Sequence, residues 1–290
     1  MNIHPMVELI VRSLYFGLKL NNLRGNRINK GEINKINLTD IETVLREYGI
    51  RKGDTVIIHS SFKYFSNSPS EVIEFLKNYI GHSGNILMPT HPKLEEKNGV
   101  YTYDVKNSPS TVGYLTEEFR KSKDVSRSEH PFSSIAIWGK DVDFLLTDNI
   151  NNDLPLPHGI YSPYYKMTKL NAKVLCIGVP AIKRGTIRHV AEEVLDTNYR
   201  VKDLYKSYIV NVKNGSSVKR YEVRSLNLKK SQIFIAKSKI EREWIDNSIL
   251  KKRIVKDIPF EYIDARKCVN YMISEAEKGN TCYPFASKRW

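Results

Sequence analysis

Cysteine is scarce in this chain of 290 residues. The three cysteines, Cys176, Cys268 and Cys282, lie far apart and form no CxxC pair, which argues against a disulfide framework. This usage fits a reducing compartment, so a cytoplasmic location is expected, with Cys176 buried and inert inside an apolar run. No HExxH or other ligand spacing occurs among the histidines, and no metal is expected. The absence of GxGxxG and of GxxxxGK[ST] leaves a dinucleotide or P-loop site without a motif. Long apolar runs are missing too. The stretch Met6 to Leu20 is too short and too charged to span a bilayer, and it lacks the apolar core and cleavage site of a signal peptide. It reads as an amphipathic helix docking on protein, with a membrane surface as the other option. The basic segment Asn21 to Lys35 follows as a polar linker. Residues 1–36 are thus expected to be an N-terminal helix and linker, and 37–290 one domain.

Acidic residues are outnumbered. Lys and Arg total 46 against 32 Asp and Glu, for a formal net charge of +14. Such a balance concentrates anionic partners: nucleic acid, acidic lipid or phosphorylated small molecules. A lysine-rich solvated surface accounts for it equally well. No RNP motif, zinc-finger spacing or basic-region zipper supports nucleic acid, and none is expected as a partner. There is no internal repeat and no low-complexity tract.

What is present is an alternation of short apolar strands and capped helices. Strand-like runs cover Thr55 to Ile58, Ile86 to Met88, Ser134 to Trp138 and Val174 to Ile177. Between them, Thr39-Asp40-Ile41-Glu42 and Ser68-Pro69-Ser70-Glu71 read as capping boxes, with helix stops at Gly49 and Gly81. Ser108-Pro109 reads as a third helix start, running toward Lys121. The pattern predicts an α/β fold with a central, mostly mixed sheet covered by helices on both faces. Beyond Asn198, two period-2 segments, Ser207 to Lys213 and Ser217 to Arg224, are joined at Asn214-Gly215. They predict a C-terminal β-hairpin elaboration. Asp264 caps a last helix toward Gly279.

Candidate chemistry gathers where strands end. Ile58-His59-Ser60-Ser61 closes one strand and Met88-Pro89-Thr90-His91-Pro92 another. Tyr103-Asp104 leads to Ser108-Pro109-Ser110-Thr111-Val112-Gly113, and Arg127-Ser128-Glu129-His130-Pro131 precedes a further strand. After Val174-Leu175-Cys176-Ile177-Gly178 comes Thr186-Ile187-Arg188-His189-Val190-Ala191-Glu192. Thr186, His189 and Glu192 share one helical face there. A histidine titrates near neutral pH and can take a proton from an amine or alcohol.

In this order the segments, with Gly53-Asp54-Thr55, Gly84 to Thr90 and Gly159-Ile160-Tyr161-Ser162-Pro163, resemble the aminoglycoside 3-N-acetyltransferase family, the antibiotic N-acetyltransferase fold. The match is firm over Leu38 to Glu193 and loose beyond. The resemblance implies transfer of an acyl group, acetyl or longer, from acyl-coenzyme A to a sugar amine by direct attack. His189 would be the general base. Its partner acid is Asp104 or Glu192, with Asp104 ranked ahead. The Thr186 hydroxyl would donate to the developing oxyanion; capping the helix is its alternative role. His59, Ser60, Ser61, Ser110, Val112 and Gly113 would line the pantetheine arm. The helix from Ser108 would offer amides to the pyrophosphate, and Arg127 would meet a phosphate.

A polycationic aminoglycoside fits a basic chain poorly, and the loop from Asn149 to Tyr165 holds one carboxylate, Asp153. The charge balance therefore favours an anionic acceptor such as a nucleotide-linked amino sugar, and the resemblance adds that relatives of this fold acylate such sugars in O-antigen and capsule synthesis. The alternatives are an aminoglycoside resistance enzyme and a non-catalytic protein bound at a membrane surface. Self-association as a homodimer stays open.

Overall fold

The computed structural model describes residues 34–151, 153, 155–195, 204–227, 231 and 235–283, with residues 7, 10 and 11 at the amino end. Positions 7, 10 and 11 are helical; the rest of the helix and linker expected over residues 1–33 lies outside the described residues.

The main sheet is built on three parallel strands, β1 (Thr55–Ser60), β2 (Asn85–Pro89) and β7 (Lys173–Ile177). Antiparallel strands extend it at both ends. β5 (Ser126–Arg127) and β6 (Ile135–Gly139) flank β2, while β10 (Leu250–Val255) and β11 (Ile258–Asp264) flank β7, giving the order β10-β11-β7-β1-β2-β6-β5. A second sheet, β3-β4-β8-β9, joins β3 (Glu95–Lys97) and β4 (Val100–Asp104) to the hairpin of β8 (Tyr205–Asn214) and β9 (Ser217–Leu226). The hairpin is thus not an addition to the central sheet but half of a sheet of its own. Its two-residue turn is Gly215-Ser216 rather than Asn214-Gly215. Asn214 pairs with Ser217 as the last rung, and Gly215 supplies the positive φ of 61° that the turn needs.

The apolar strands are buried on both faces, as expected of parallel strands under helices. Ile57, Leu87, Val174 and Cys176 point into one core, and Val56, Ile58, Ile86, Met88, Leu175 and Ile177 into the other. Each such side chain contributes about 1.5–3 kcal/mol on burial. The second core is closed by α1 (Leu38–Glu47), α2 (Pro69–Ile80) and α3 (Tyr114–Lys121). The first is closed by α4 (Val142–Leu146), α5 (Pro163–Lys169), α6 (Ala181–Arg184), α7 (Ile187–Val194), α8 (Lys237–Asp246) and α9 (Ala265–Glu277). Among the described residues no helix is long and apolar enough to cross a membrane.

Two helix starts differ from the sequence expectation. α1 is capped by Asn37, not Thr39: the Asn37 side chain accepts from the Asp40 amide, and Asp40 returns to the Asn37 amide. α3 begins at Tyr114, after Gly113, rather than at Ser108-Pro109. Ser108 instead closes a turn on Asp104, its Oγ accepting from the Asp104 amide and its own amide donating to the Asp104 carbonyl. Glu117 then reaches back to the Ser110 amide. The box at Ser68 and Glu71 and the Asp264 cap form as expected.

Candidate active site

The carboxyl ends of β7, β1 and β2 lie side by side, and the chain places a histidine at or beyond each. β1 ends in His59-Ser60, which register against Cys176-Ile177 of β7. β2 runs into Thr90-His91. From β7 the chain turns at Gly178, where φ is +67° and a Cβ would lie 2.3 Å from the Tyr64 ring, so no other residue fits. The carboxylate of Glu261 on β11 then accepts from the Ala181 amide at 2.6 Å, anchoring the turn that leads through α6 to Thr186.

Helix α7 buries Arg188, Glu192 and Glu193 together with its apolar residues. Buried charge is costly unless paired, and here each is. Glu192 is completely enclosed. Its Oε2 lies 2.8 Å from His189 Nδ1, and its Oε1 accepts from Arg188 Nη1. The Tyr283 hydroxyl and the Cys282 thiol, just beyond α9, reach the same Oε1 at 3.2 Å each. Burial pushes the Glu192 carboxyl up, but Arg188 and His189 outweigh it and hold it at about 2, ionised. A carboxylate can only accept, so His189 carries its proton on Nδ1. Nε2 is left with the lone pair, and Arg188 Nη2 donates to it at 3.2 Å. Burial, then the Arg188 charge, lower the His189 pKa below its ordinary value against the pull of Glu192.

A second histidine backs the first. The His158 amide donates to Glu193 Oε2 at 2.5 Å, and His158 Nδ1 lies 3.0 Å from Glu193 Oε1. Burial lowers His158 to about 3 and raises Glu193 to about 8, so both tend to their neutral forms. His59 and His91 are likewise neutral, each pushed down to about 3, chiefly by burial, and His91 lies close enough to His59, His158 and His189 for protonation of one ring to disfavour that of another. The buried Nε2 atoms of His59, His91 and His158 have no hydrogen-bond partner, and neither has the Thr186 hydroxyl. Thr186 stands at the N-cap position of its helix, but its side chain makes no capping hydrogen bond. Unpaired buried polar atoms of this kind mark a place prepared for something other than protein.

The structure thus brings together His189, Glu192, Thr186, His59 and Ser60. Gly113 joins them: at φ +152° it lies exposed, and a Cβ there would sit 4.0 Å from the Ser60 carbonyl. Val112 beside it is 40% exposed, and Ser110 is half-buried with its Oγ near the Val112 amide. Ser61 is half-buried, its amide bonded to the Ile177 carbonyl.

Two expected residues are not placed for their roles. Asp104 does not serve His189. Its Oδ1 accepts from the Lys106 and Asn107 amides, and its Oδ2 from the Asn107 side chain with Lys213 at 3.3 Å, so it closes its own loop. Arg127 is no phosphate ligand. It is buried over the Tyr103 ring, and its guanidinium donates to Thr90, Ser134 and the carbonyls of Val105, Ser108 and Thr90. It fastens the second sheet to the first. The residues that sequence reasoning missed are Arg188, His158, Glu193, Cys282 and Tyr283. Only Arg188 carried a signal, its i, i+4 spacing to Glu192. Among the described residues no group of His, Cys, Asp and Glu could hold a metal ion.

The architecture is shared with solved acetyltransferases. The structure superposes on aminoglycoside acetyltransferase AAC(3)-Xa with a TM-score of 0.72 at 20% identity, covering 85% of this chain and 94% of the other. It superposes on AAC-IIIb, solved as a binary complex with CoASH, with a TM-score of 0.71 at 18% identity, covering 86% and 98%. In sequence, 173 residues are 29% identical to the SPbeta prophage-derived aminoglycoside N(3')-acetyltransferase-like protein YokD of Bacillus subtilis (strain 168), 51% of this chain and 61% of that one. The chain therefore spans less than two thirds of the length of that relative. The family model described as aminoglycoside 3-N-acetyltransferase matches residues 57–276, and the chain belongs to that family.

Proposed function

We propose that the chain transfers an acyl group from acyl-coenzyme A to an amine of an aminoglycoside. The observation that carries this reading is the His189–Glu192 pair, which leaves a lone pair on Nε2, with the unpaired Thr186 hydroxyl at the start of the same helix. A sugar amine is mostly protonated near neutral pH and cannot attack until it loses a proton. The neutral amine attacks the thioester carbonyl, forming the C–N bond, and Nε2 takes the proton that the nitrogen sheds. Ionised Glu192 stabilises the imidazolium. The Thr186 hydroxyl donates to the oxygen that turns negative, and the C–S bond breaks as the tetrahedral intermediate collapses; the coenzyme A thiolate takes the proton from the His189 imidazolium, leaves as the thiol and restores the base.

His59, Ser60 and Ser61 on one side and Ser110, Val112 and Gly113 on the other are the residues proposed to hold the pantetheine arm. Support comes from the bare Gly113 facing the Ser60 carbonyl and from the unpaired His59 Nε2. The family match and the relatives named for aminoglycosides favour that acceptor over the nucleotide-linked amino sugar that net charge suggested. Net charge averages over the whole surface and is a weak guide to one cleft.

The test is thiol release by the purified full chain with acetyl-CoA and a longer acyl-CoA, against kanamycin, gentamicin and dTDP- or UDP-linked amino sugars. Release with an aminoglycoside is expected. Release with a nucleotide-linked sugar and none with either aminoglycoside would overturn the acceptor. No release with any pairing would overturn the transfer itself.

A further inference from the structure

Arg188 stands beside His189 in sequence, and neighbouring residues on a helix point about 100° apart. Yet its side chain folds back so that the guanidinium meets both members of the pair. Nη1 takes Glu192 Oε1, and Nη2 lies 3.2 Å from His189 Nε2. Arginine has donors only, so the contact at Nε2 occupies the lone pair that a base would use. The residue is 6% exposed, and little water screens its charge.

We propose that Arg188 is a positioning residue of the reaction: it fixes the carboxylate of the pair and guards the lone pair of His189, keeping the base unprotonated in mildly acidic solution. The inference rests on His189 being the base.

Burial of the ring acts in the same sense, with a smaller contribution from His158, but none of the other groups around the ring brings a comparable charge. On the same helix Glu192 acts in the opposite sense, favouring the imidazolium. From the segment before α5, His158 stacks on the ring at 5.2 Å and stays neutral, with Glu193 behind it held towards its neutral form. From the segment after β2, His91 is neutral as well. Beyond α9, Tyr283 and Cys282 meet Glu192, the Tyr283 hydroxyl also accepts from Arg188 Nη1 at 3.3 Å, and burial raises that hydroxyl well above its ordinary value. Among these described groups, Arg188 is the cation that opposes protonation of His189. It also holds Glu192 Oε1, which frees Oε2 for Nδ1 and so settles the tautomer. In the resting protein the lone pair is shielded, and a neutral amine entering the site takes the place of Nη2.

The experiment is the pH profile of kcat/KM for the full chain, for Arg188→Gln and for Arg188→Lys, with one acceptor throughout. The ionisation of that acceptor is common to all three, so only the displacement of the acid limb is read. Removing the charge should let His189 hold a proton at higher pH, moving the limb of R188Q upward by about one pH unit. R188K, which keeps the charge, should return it toward wild type. An R188Q limb that coincides with wild type, even with lower kcat at every pH, would overturn the proposal. So would an R188K limb displaced as far as that of R188Q. Should R188Q not fold, histidine ring NMR of the unaltered protein decides, since a His189 titrating at or above the ordinary histidine range would also overturn it. Wild-type activity and limb in His189→Asn would instead overturn the base reading on which the proposal rests.

Discussion

The ring of His158 lies on the ring of His189, 5.2 Å between centroids and 30° between planes. Each ring is held from α7, His189 by Glu192 and His158 by Glu193, so consecutive carboxyl groups of one helix orient two stacked imidazoles. They differ in charge state: Glu192 is ionised, with Arg188 to balance it, while Glu193 tends to stay protonated. The ring that faces the ionised carboxylate, His189, is the one whose cation would have a counter-ion, and Arg188 opposes that charge.

Glu192→Gln and Asp104→Asn separate the two candidate acids. The Glu192 variant should lose about 100-fold or more in kcat. It should also unfold about 3 kcal/mol more easily, because Arg188 keeps a buried charge with no counter-ion. Asp104→Asn should keep kcat within about twofold and cost no more than about 1 kcal/mol, since only an exposed loop contact changes. Steady-state kinetics and urea unfolding on the same preparations give both numbers. A large kcat loss in Asp104→Asn alone would restore Asp104 as the partner.

Thr186→Val should lower kcat by about 100-fold with little change in the urea midpoint. The hydroxyl has no partner in the fold, so its loss removes no protein contact. Unchanged kcat would take Thr186 out of the reaction.

Arg127→Met should leave coenzyme A affinity, read by calorimetry, within about twofold, and should lower stability by at least about 2 kcal/mol, because buried carbonyls lose their donor. A selective loss of coenzyme A binding in a stable variant would contradict the structural assignment.

Glu193 gives a pH signature. Unfolded it titrates near 4.5, and folded it is raised to about 8. Between those values the folded state keeps a proton that the unfolded chain has lost, so stability falls as pH rises. Glu193→Gln has no such proton. Its urea midpoint should therefore gain on wild type from about pH 5 to about pH 8 and hold a constant difference outside that window. A difference that is flat throughout would mean that Glu193 is ionised in the fold.

Much of the frame could be read from local signals. The four apolar runs became β1, β2, β6 and β7, and Ser68 with Glu71 capped α2, because these features depend on neighbours a few residues away. Thr186, His189 and Glu192 were readable as one helical face for the same reason. The misreadings have local and long-range causes. Asp104 is taken up by the Lys106 and Asn107 amides of its own turn as well as by Lys213, and Thr90 with Ser134 decides what Arg127 does; no spacing in the sequence announces Lys213 or Thr90 as a partner. Ser108-Pro109 has the form of a helix start, yet its hydroxyl is already taken by the Asp104 amide. Tyr283 and Cys282 reach Glu192 from about ninety residues away, across the packing of α9 on α7.

The clasp formed by Arg127 has a bearing on engineering. It ties Val105 and Ser108 to Thr90, while the Thr111 amide and hydroxyl bind the His91 carbonyl and the Ser110 amide binds Glu117. The segment that ends in Val112 and Gly113 is therefore cross-braced along its length, and substitutions within it trade stability for little added room. A library meant to admit bulkier acyl donors or acceptors is better aimed at the Gly159–Tyr161 turn, where Ile160 and Tyr161 stand 50% and 47% exposed.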